Sequence, residues 1–175
     1  AMPADPLNLD PALREVAVNR TVFTAEAIPL VRESMNQRRS ETRLGSAGVT
    51  VEDTTAGAVR VRVYRGTAPP APAVVYCGFA LGNLDTDHRQ CLELARRARC
   101  SVVSVDYRLA PEHPYPAALD DATAVLDWTM RNATRLGVDP HRVAVAGSSA
   151  GAALAAALAH ASADGSLPPL VFQLL

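Results

Sequence analysis

The residues best placed to do chemistry are Gly147-Ser148-Ser149-Ala150-Gly151. This G-x-S-x-G segment lies between the apolar run Val143-Ala144-Val145-Ala146 and an alanine-rich stretch from Ala150 to Ala163. A serine acts as a nucleophile when its hydroxyl is held out on a sharp strand-to-helix turn. Such a turn needs small neighbours so that the backbone can pass close beneath it. Gly147 and Gly151 meet that need on either side of Ser149. A helix starting just beyond would point its free N–H groups and positive dipole end at the same spot, which suits an oxyanion. Taken alone, the five-residue pattern also fits a glycine-rich structural turn. The strand before it and the helix after it favour a nucleophile.

A serine nucleophile needs a base within about 3 Å of its hydroxyl. His160 is the one histidine after Ser149, and eleven helical residues put it roughly 16 Å away, too far to serve. His88 reads as a core histidine on an apolar helix face, and His141 as a solvated residue before a strand. Asp106 and Glu112 are expected to organise their own loop through hydrogen bonds. Asp120 and Asp121 fall on adjacent helical positions that do not face each other, which excludes a dicarboxylate site there. Cys77, Cys91 and Cys100 show no CxxC or Cys/His ligand spacing, so reduced thiols are expected and a structural zinc site is not. Cys77 reads as a small buried hydrophobe. No metal or other cofactor is implied.

The elements that must position Ser149 follow from hydrophobic period. Asp10-Pro11 reads as a helix cap and first helical position, opening a helix to about Asn19. A second helix, Ala25 to about Arg39, places Ile28, Val31 and Met35 on one face. The alternates Val49, Val51 and then Val59, Val61, Val63 predict a hairpin around Ala56-Gly57. From Ala73 onward strands and helices alternate. Strands are expected at Ala73–Tyr76, Ser101–Asp106, Arg142–Ala146 and Leu170–Leu174. Helices are expected from Leu84 to Ala95, from Ala118 to Leu136, and from Ala150 to Ala163. Strands joined by crossover helices predict an α/β fold with a mostly parallel sheet flanked by helices.

Composition bounds the function. A chain of 175 residues with 49% hydrophobic and 20% charged residues builds one core and is not disordered. The net charge is −1, and the 17 basic residues are all arginines, scattered along the chain. That pattern excludes a nucleic-acid or membrane-surface binder working by charge. No run approaches the roughly 18 apolar residues of a membrane span, and no basic-then-apolar leader opens the chain. A soluble, cytoplasmic protein is expected.

Beyond these patterns, Asp106-Tyr107-Arg108-Leu109-Ala110-Pro111-Glu112-His113-Pro114, continuing through Tyr115-Pro116-Ala117-Ala118, closely resembles a hallmark of the hormone-sensitive-lipase-like branch of the α/β-hydrolases. Asp120-Asp121, Trp128, Gly137-Val138-Asp139-Pro140 and the G-x-S-x-G segment resemble that branch as well. So does the stretch from Tyr76 through Gly78-Phe79-Ala80-Leu81-Gly82 to Asp85. The likeness runs from about Val49 to the end of the chain. It implies an α/β-hydrolase fold with Ser149 as nucleophile and the Ala150 N–H as one oxyanion donor. Further donors would come from the glycine loop after Ala73–Tyr76, of which Gly78 remains. His113 falls in the branch's structural loop. Residues 1–45 would be N-terminal cap helices over an acyl pocket, and residues 46–175 the hydrolase core.

The implied activity is hydrolysis of small-molecule carboxylic esters of modest acyl length through an acyl-enzyme. A peptidase or amidase on the same fold and a catalytically silent binding protein are the rivals. Sequence leaves the oligomeric state, monomer or homodimer, open. The chain departs from the branch in carrying Ser148 where Asp is usual and Ala152 where Gly is usual. The branch's catalytic Asp and His lie far beyond the serine, whereas 26 residues follow Ser149 here. The chain is thus expected to be the N-terminal part of the fold, inactive and poorly folded alone. The glycine loop is also about three residues short, so residues including a His are expected to intervene between Cys77 and Gly78.

Overall fold

The computed structural model describes residues 10–14, 24, 26–40 and 48–175. The expected hairpin is present: β1 (Thr50–Ala56) pairs antiparallel with β2 (Val59–Arg65), Ala56 opposite Val59 and Thr50 opposite Arg65. β3 (Ala71–Cys77), β4 (Ser101–Asp106), β5 (Val138–Gly147) and β6 (Phe172–Leu174) complete a six-stranded sheet in the order β1-β2-β4-β3-β5-β6. β2 is antiparallel to both of its neighbours, and β4, β3, β5 and β6 run parallel. The helices are α1 (Ala27–Ser40), α2 (His88–Ala98), α3 (Ala117–Arg131), α4 (Ala133–Leu136) and α5 (Ala150–Ala163).

The two-residue period of the strands sorts the core into two layers. Val61, Val63, Val75, Val103, Val105, Val143 and Val145 pack with Val125 and Leu126 of α3 and Ala155 and Leu158 of α5. On the other side, Tyr64, Tyr76, Val102 and Ala146 pack with Cys91, Leu92 and Ala95 of α2. Helices therefore cover both faces, as crossover connections between parallel strands require.

Several boundaries moved for local reasons. The helix expected from Leu84 begins at His88, because Asn83 organises a polar turn first. Its Oδ1 accepts the Asp85 N–H at 2.9 Å, and its N–H donates to Thr86 Oγ1 at 3.0 Å. The long helix expected through Leu136 breaks at Asn132, whose side-chain amide donates to the Trp128 carbonyl at 2.9 Å. β5 starts four residues early, at Val138, with a register shift against β3 between Ala71 and Ala73. Pro140 lacks the N–H that regular pairing needs, so it hid this start from the sequence pattern. At the N-terminus, Pro11–Leu13 forms a 3₁₀ turn capped by Asp10, whose Oδ1 accepts the Ala12 N–H at 2.9 Å. The rest of the first expected helix, and the expected domain boundary at residues 45–46, lie outside the described residues.

The loop that leaves β4 is fastened to α3 by one buried carboxylate. Asp121 accepts the Arg108 backbone N–H at 2.9 Å and the Arg108 guanidinium at 2.8 Å. Burial pushes the Asp121 carboxyl up, but the Arg108 hydrogen bonds and charge outweigh it and hold it below the ordinary carboxylate value. A depressed folded value means that the stabilisation is present above the unfolded value, near 4, and is lost as pH falls through the folded one. Asp121→Asn in the full-length protein should therefore cost about 1–3 kcal/mol at neutral pH. In urea unfolding, the gap from wild type should narrow as pH drops from about 5 towards 3. A gap that stays constant with pH would mean that the charge contributes nothing.

Candidate active site

Ser149 is held at φ 55°, ψ −115°, between the last residue of β5 and the first turn of α5. A serine in this region carries strain of about 1–3 kcal/mol, kept only where the surroundings enforce it. They do so here through backbone packing. A Cβ on Gly147 would lie 2.1 Å from the Gly151 carbonyl oxygen, and a Cβ on Gly151 would lie 2.0 Å from the Cys77 oxygen and 2.4 Å from that of Gly78. The start of α5 thus rests directly on the end of β3, and Cys77 O accepts the Ser148 N–H at 3.1 Å. Ser149 and Ala150 are exposed, and the Ser149 side chain makes no cap bond to its own helix. At the first helical position the Ala150 N–H has no intrahelical acceptor.

The direction of the Gly78 N–H follows from its peptide plane. Cys77 and Gly78 are consecutive in this sequence. The Cys77 carbonyl and the Gly78 N–H belong to one planar trans peptide and point in opposite directions. Since that carbonyl is bonded to Ser148 beyond β5, the Gly78 N–H faces the β4 side of β3 and not the elbow.

The other titratable candidates are engaged elsewhere. His88 Nδ1 lies 3.0 Å from the Tyr64 hydroxyl, and burial lowers the His88 value. His113, His141 and His160 are exposed. Asp120 is exposed while Asp121 is buried, so the pair does not share a site. Glu112 receives Arg32 of α1 at 2.9 Å, and Asp106 stands 3.7 Å from Arg60. Cys77 is buried and its thiol is pushed up to about 12 by burial, leaving it protonated and inert. Among the described residues no group of three or more His, Cys, Asp or Glu is arranged to hold a metal ion. No helix among them is long and apolar enough to cross a membrane.

Contacts that the sequence did not announce fasten the loops around the elbow. Arg62 of β2 binds both oxygens of Asp53, at 2.5 and 2.9 Å, and reaches Asp85 at 2.7 Å, tying the loop before α2 to the sheet edge. Arg32 joins α1 to the loop after β4, donating to Glu112 and to the Ala110 carbonyl at 2.9 Å each. A cleft of about 610 Å³ lies between α1 and the loop before α2, lined by Arg32, Glu33, Asn36, Asn83 and Asp85 among others. The one signal available in advance was the clustering of Asn, Asp and Thr at residues 83–87, which marks a turn but not its partners.

A parallel sheet with helices on both faces and a strained serine turn at the carboxyl end of a central strand are the features of an α/β-hydrolase-type fold. Comparison with known proteins agrees: residues 77–175 match the model of a family described as alpha/beta hydrolase fold. The chain is 42% identical over 183 aligned positions to carboxylesterase NlhH of Mycobacterium tuberculosis, covering 96% of this chain and 56% of that protein. It is 47% identical over 130 positions to esterase LipI of the same organism, covering 70% of this chain and 41% of the relative. Among solved structures, esterase LipW of Mycobacterium marinum is 64% identical with a TM-score of 0.85, matching 98% of this chain and 59% of its own. A bacterial heroin esterase superposes with a TM-score of 0.81 at 30% identity, covering 96% and 57%. The chain belongs to the hormone-sensitive-lipase-like branch of the α/β-hydrolase family. It spans little more than half the length of NlhH and LipW. The NlhH alignment is longer than the 175 residues of this chain, so the relative carries residues within the matched span that this chain lacks.

Gly151→Ala sets two effects against each other. Alanine gains about 1 kcal/mol of helix propensity over glycine. A Cβ at 2.0 Å from a backbone oxygen must push α5 off β3, an overpacking cost of about 1–3 kcal/mol or more. Gly151→Ala should therefore lower the midpoint of chemical unfolding in the full-length protein, whereas an unchanged or raised midpoint would show that the elbow is not tightly seated.

Proposed function

We propose that the protein is a serine carboxylic-ester hydrolase. One observation carries the reading: Ser149 stands exposed at positive φ on a glycine-flanked turn whose following helix presents the Ala150 N–H. The esterase names of the relatives support it. In this mechanism Ser149 attacks the ester carbonyl, the Ala150 N–H stabilises the developing oxyanion, and water hydrolyses the acyl-enzyme. A His held by an Asp takes the serine proton; His88 is engaged by Tyr64, and His113, His141 and His160 are exposed. For Gly78 to join as a second donor, the 77–78 peptide has to turn over and release Ser148. Residues 1–45, with α1 tied to the loop after β4 by Arg32, act as part of the cap. The free, buried cysteines support a cytoplasmic setting.

A second reading rests on the Gly78 geometry. Loss of one oxyanion donor costs about 10²–10³ in turnover, so a short turn that withholds Gly78 favours a silent, ligand-binding hydrolase fold. Short-acyl nitrophenyl esters and a fluorophosphonate probe separate the two. The full-length protein should turn over the ester and be labelled at Ser149, and Ser149→Ala should abolish both while leaving the fold intact. Labelling retained in Ser149→Ala would name the wrong nucleophile, and absence of both activities in the wild type would select the silent fold. Turnover of a matched ester and amide separates an esterase from an amidase.

A further inference from the structure

The turn beside the elbow contains a single peptide unit held at both ends. The Gly78 carbonyl accepts a hydrogen bond from the Tyr107 hydroxyl at 2.7 Å. The Phe79 N–H, the other end of the same peptide plane, donates to Asp87 Oδ2 at 3.2 Å. The two partners come from different places in the fold: Tyr107 follows β4, and Asp87 precedes α2.

Asp87 forgoes an ordinary role to do this. It is the N-cap residue of α2, where an aspartate side chain normally accepts an N–H of its own first turn and contributes about 1 kcal/mol. Here the side chain makes no cap bond and is turned to the Phe79 N–H. The carboxylate closes on Gly78, where a Cβ would sit 2.2 Å from Asp87 Oδ2. Tyr107 is buried, and burial pushes its phenol well above the ordinary value. The hydroxyl therefore stays a donor throughout the pH range of the fold.

The clamped peptide adjoins the elbow. The Cys77 and Gly78 carbonyls form the surface against which Gly151 is seated, and Gly151 lies in the first turn of the helix that begins at Ala150, just after Ser149. We infer that Asp87 and Tyr107 are positioning residues for the serine site, fixing the 78–79 peptide so that β3 offers α5 a rigid seat. This inference rests on the serine-hydrolase reading for its catalytic consequence, but the clamp itself is a property of the fold.

The test uses Asp87→Ala, Asp87→Asn, Tyr107→Phe and the Asp87→Ala/Tyr107→Phe double variant in the full-length protein, with two readouts. Hydrogen exchange at the Phe79 amide should accelerate in Asp87→Ala and Tyr107→Phe, with the core strands unchanged. With a short-acyl nitrophenyl ester, both variants should lose about 10- to 100-fold in kcat, the scale of a small misplacement of reacting groups, while KM stays within about twofold. Asp87→Asn retains an oxygen acceptor and should restore both readouts. Because both side chains act on one peptide unit, the double variant should lose less than the product of the single losses. Unchanged Phe79 exchange in both single variants would overturn the clamp whether or not the protein turns over esters. Failure of Asp87→Asn to rescue, or single losses that simply multiply, would overturn the positioning role. A wild type that shows exchange protection but no Ser149-dependent turnover would uphold the clamp and reject the esterase reading instead.

Discussion

At the elbow two pieces of backbone meet closely: the carbonyls at the end of β3 and the first turn of α5. No side chain fits between them, since a Cβ on Gly151 would sit 2.0 Å from the Cys77 oxygen. Everything distinctive about the elbow follows from that contact. With α5 pressed onto β3 and Ser148 bonded to Cys77, the chain has one residue in which to change from strand to helix, and Ser149 absorbs the change at φ 55°. The strain is small beside the burial behind it. A fully buried valine contributes about 1.5–3 kcal/mol, and Val75, Val143 and Val145 in the two strands under the elbow are all fully buried.

Around that rigid centre the loops are fastened mainly by arginine. Arg32 joins α1 to the loop after β4, Arg62 joins the sheet edge to the loop before α2, and Arg108 joins the β4 loop to α3. Each guanidinium serves two or more acceptors at once, which a planar fork with five donors does and a lysine ammonium does less well. The arginine-only composition, without functional meaning as a count, thus supplies tethers at the three loops that frame the site. Burial keeps the Cys77 thiol and the Tyr76 and Tyr107 phenols neutral, all three being pushed upward. The phenols can act only as uncharged hydrogen-bonding groups, and Cys77 cannot compete with Ser149 as a nucleophile.

What the sequence determined by itself was whatever rests on local chemistry. The period of two in Val59–Val63, the β-branched run Ser101–Asp106, the alanine-rich helix from Ala150, and the glycines flanking Ser149 each follow from interactions within a few residues, and each was legible. The early start of β5 and the break at Asn132 were not, because Pro140 and Asn132 act by disturbing a regular pattern instead of making one. Only the tertiary structure decided which backbone groups meet. Peptide planarity and the bond from Ser148 to Cys77 turned the Gly78 N–H towards β4, although its place in the motif marked it as an oxyanion donor. Likewise, nothing local to Asp87 or Tyr107 shows that both close on one peptide unit. They are twenty residues apart in the chain and are brought together by the parallel pairing of β3 with β4 and by the packing of α2 against the sheet. Direction of a hydrogen-bonding group is set by the plane it sits in, and that plane is fixed by neighbours in space, which residue types and spacing do not encode.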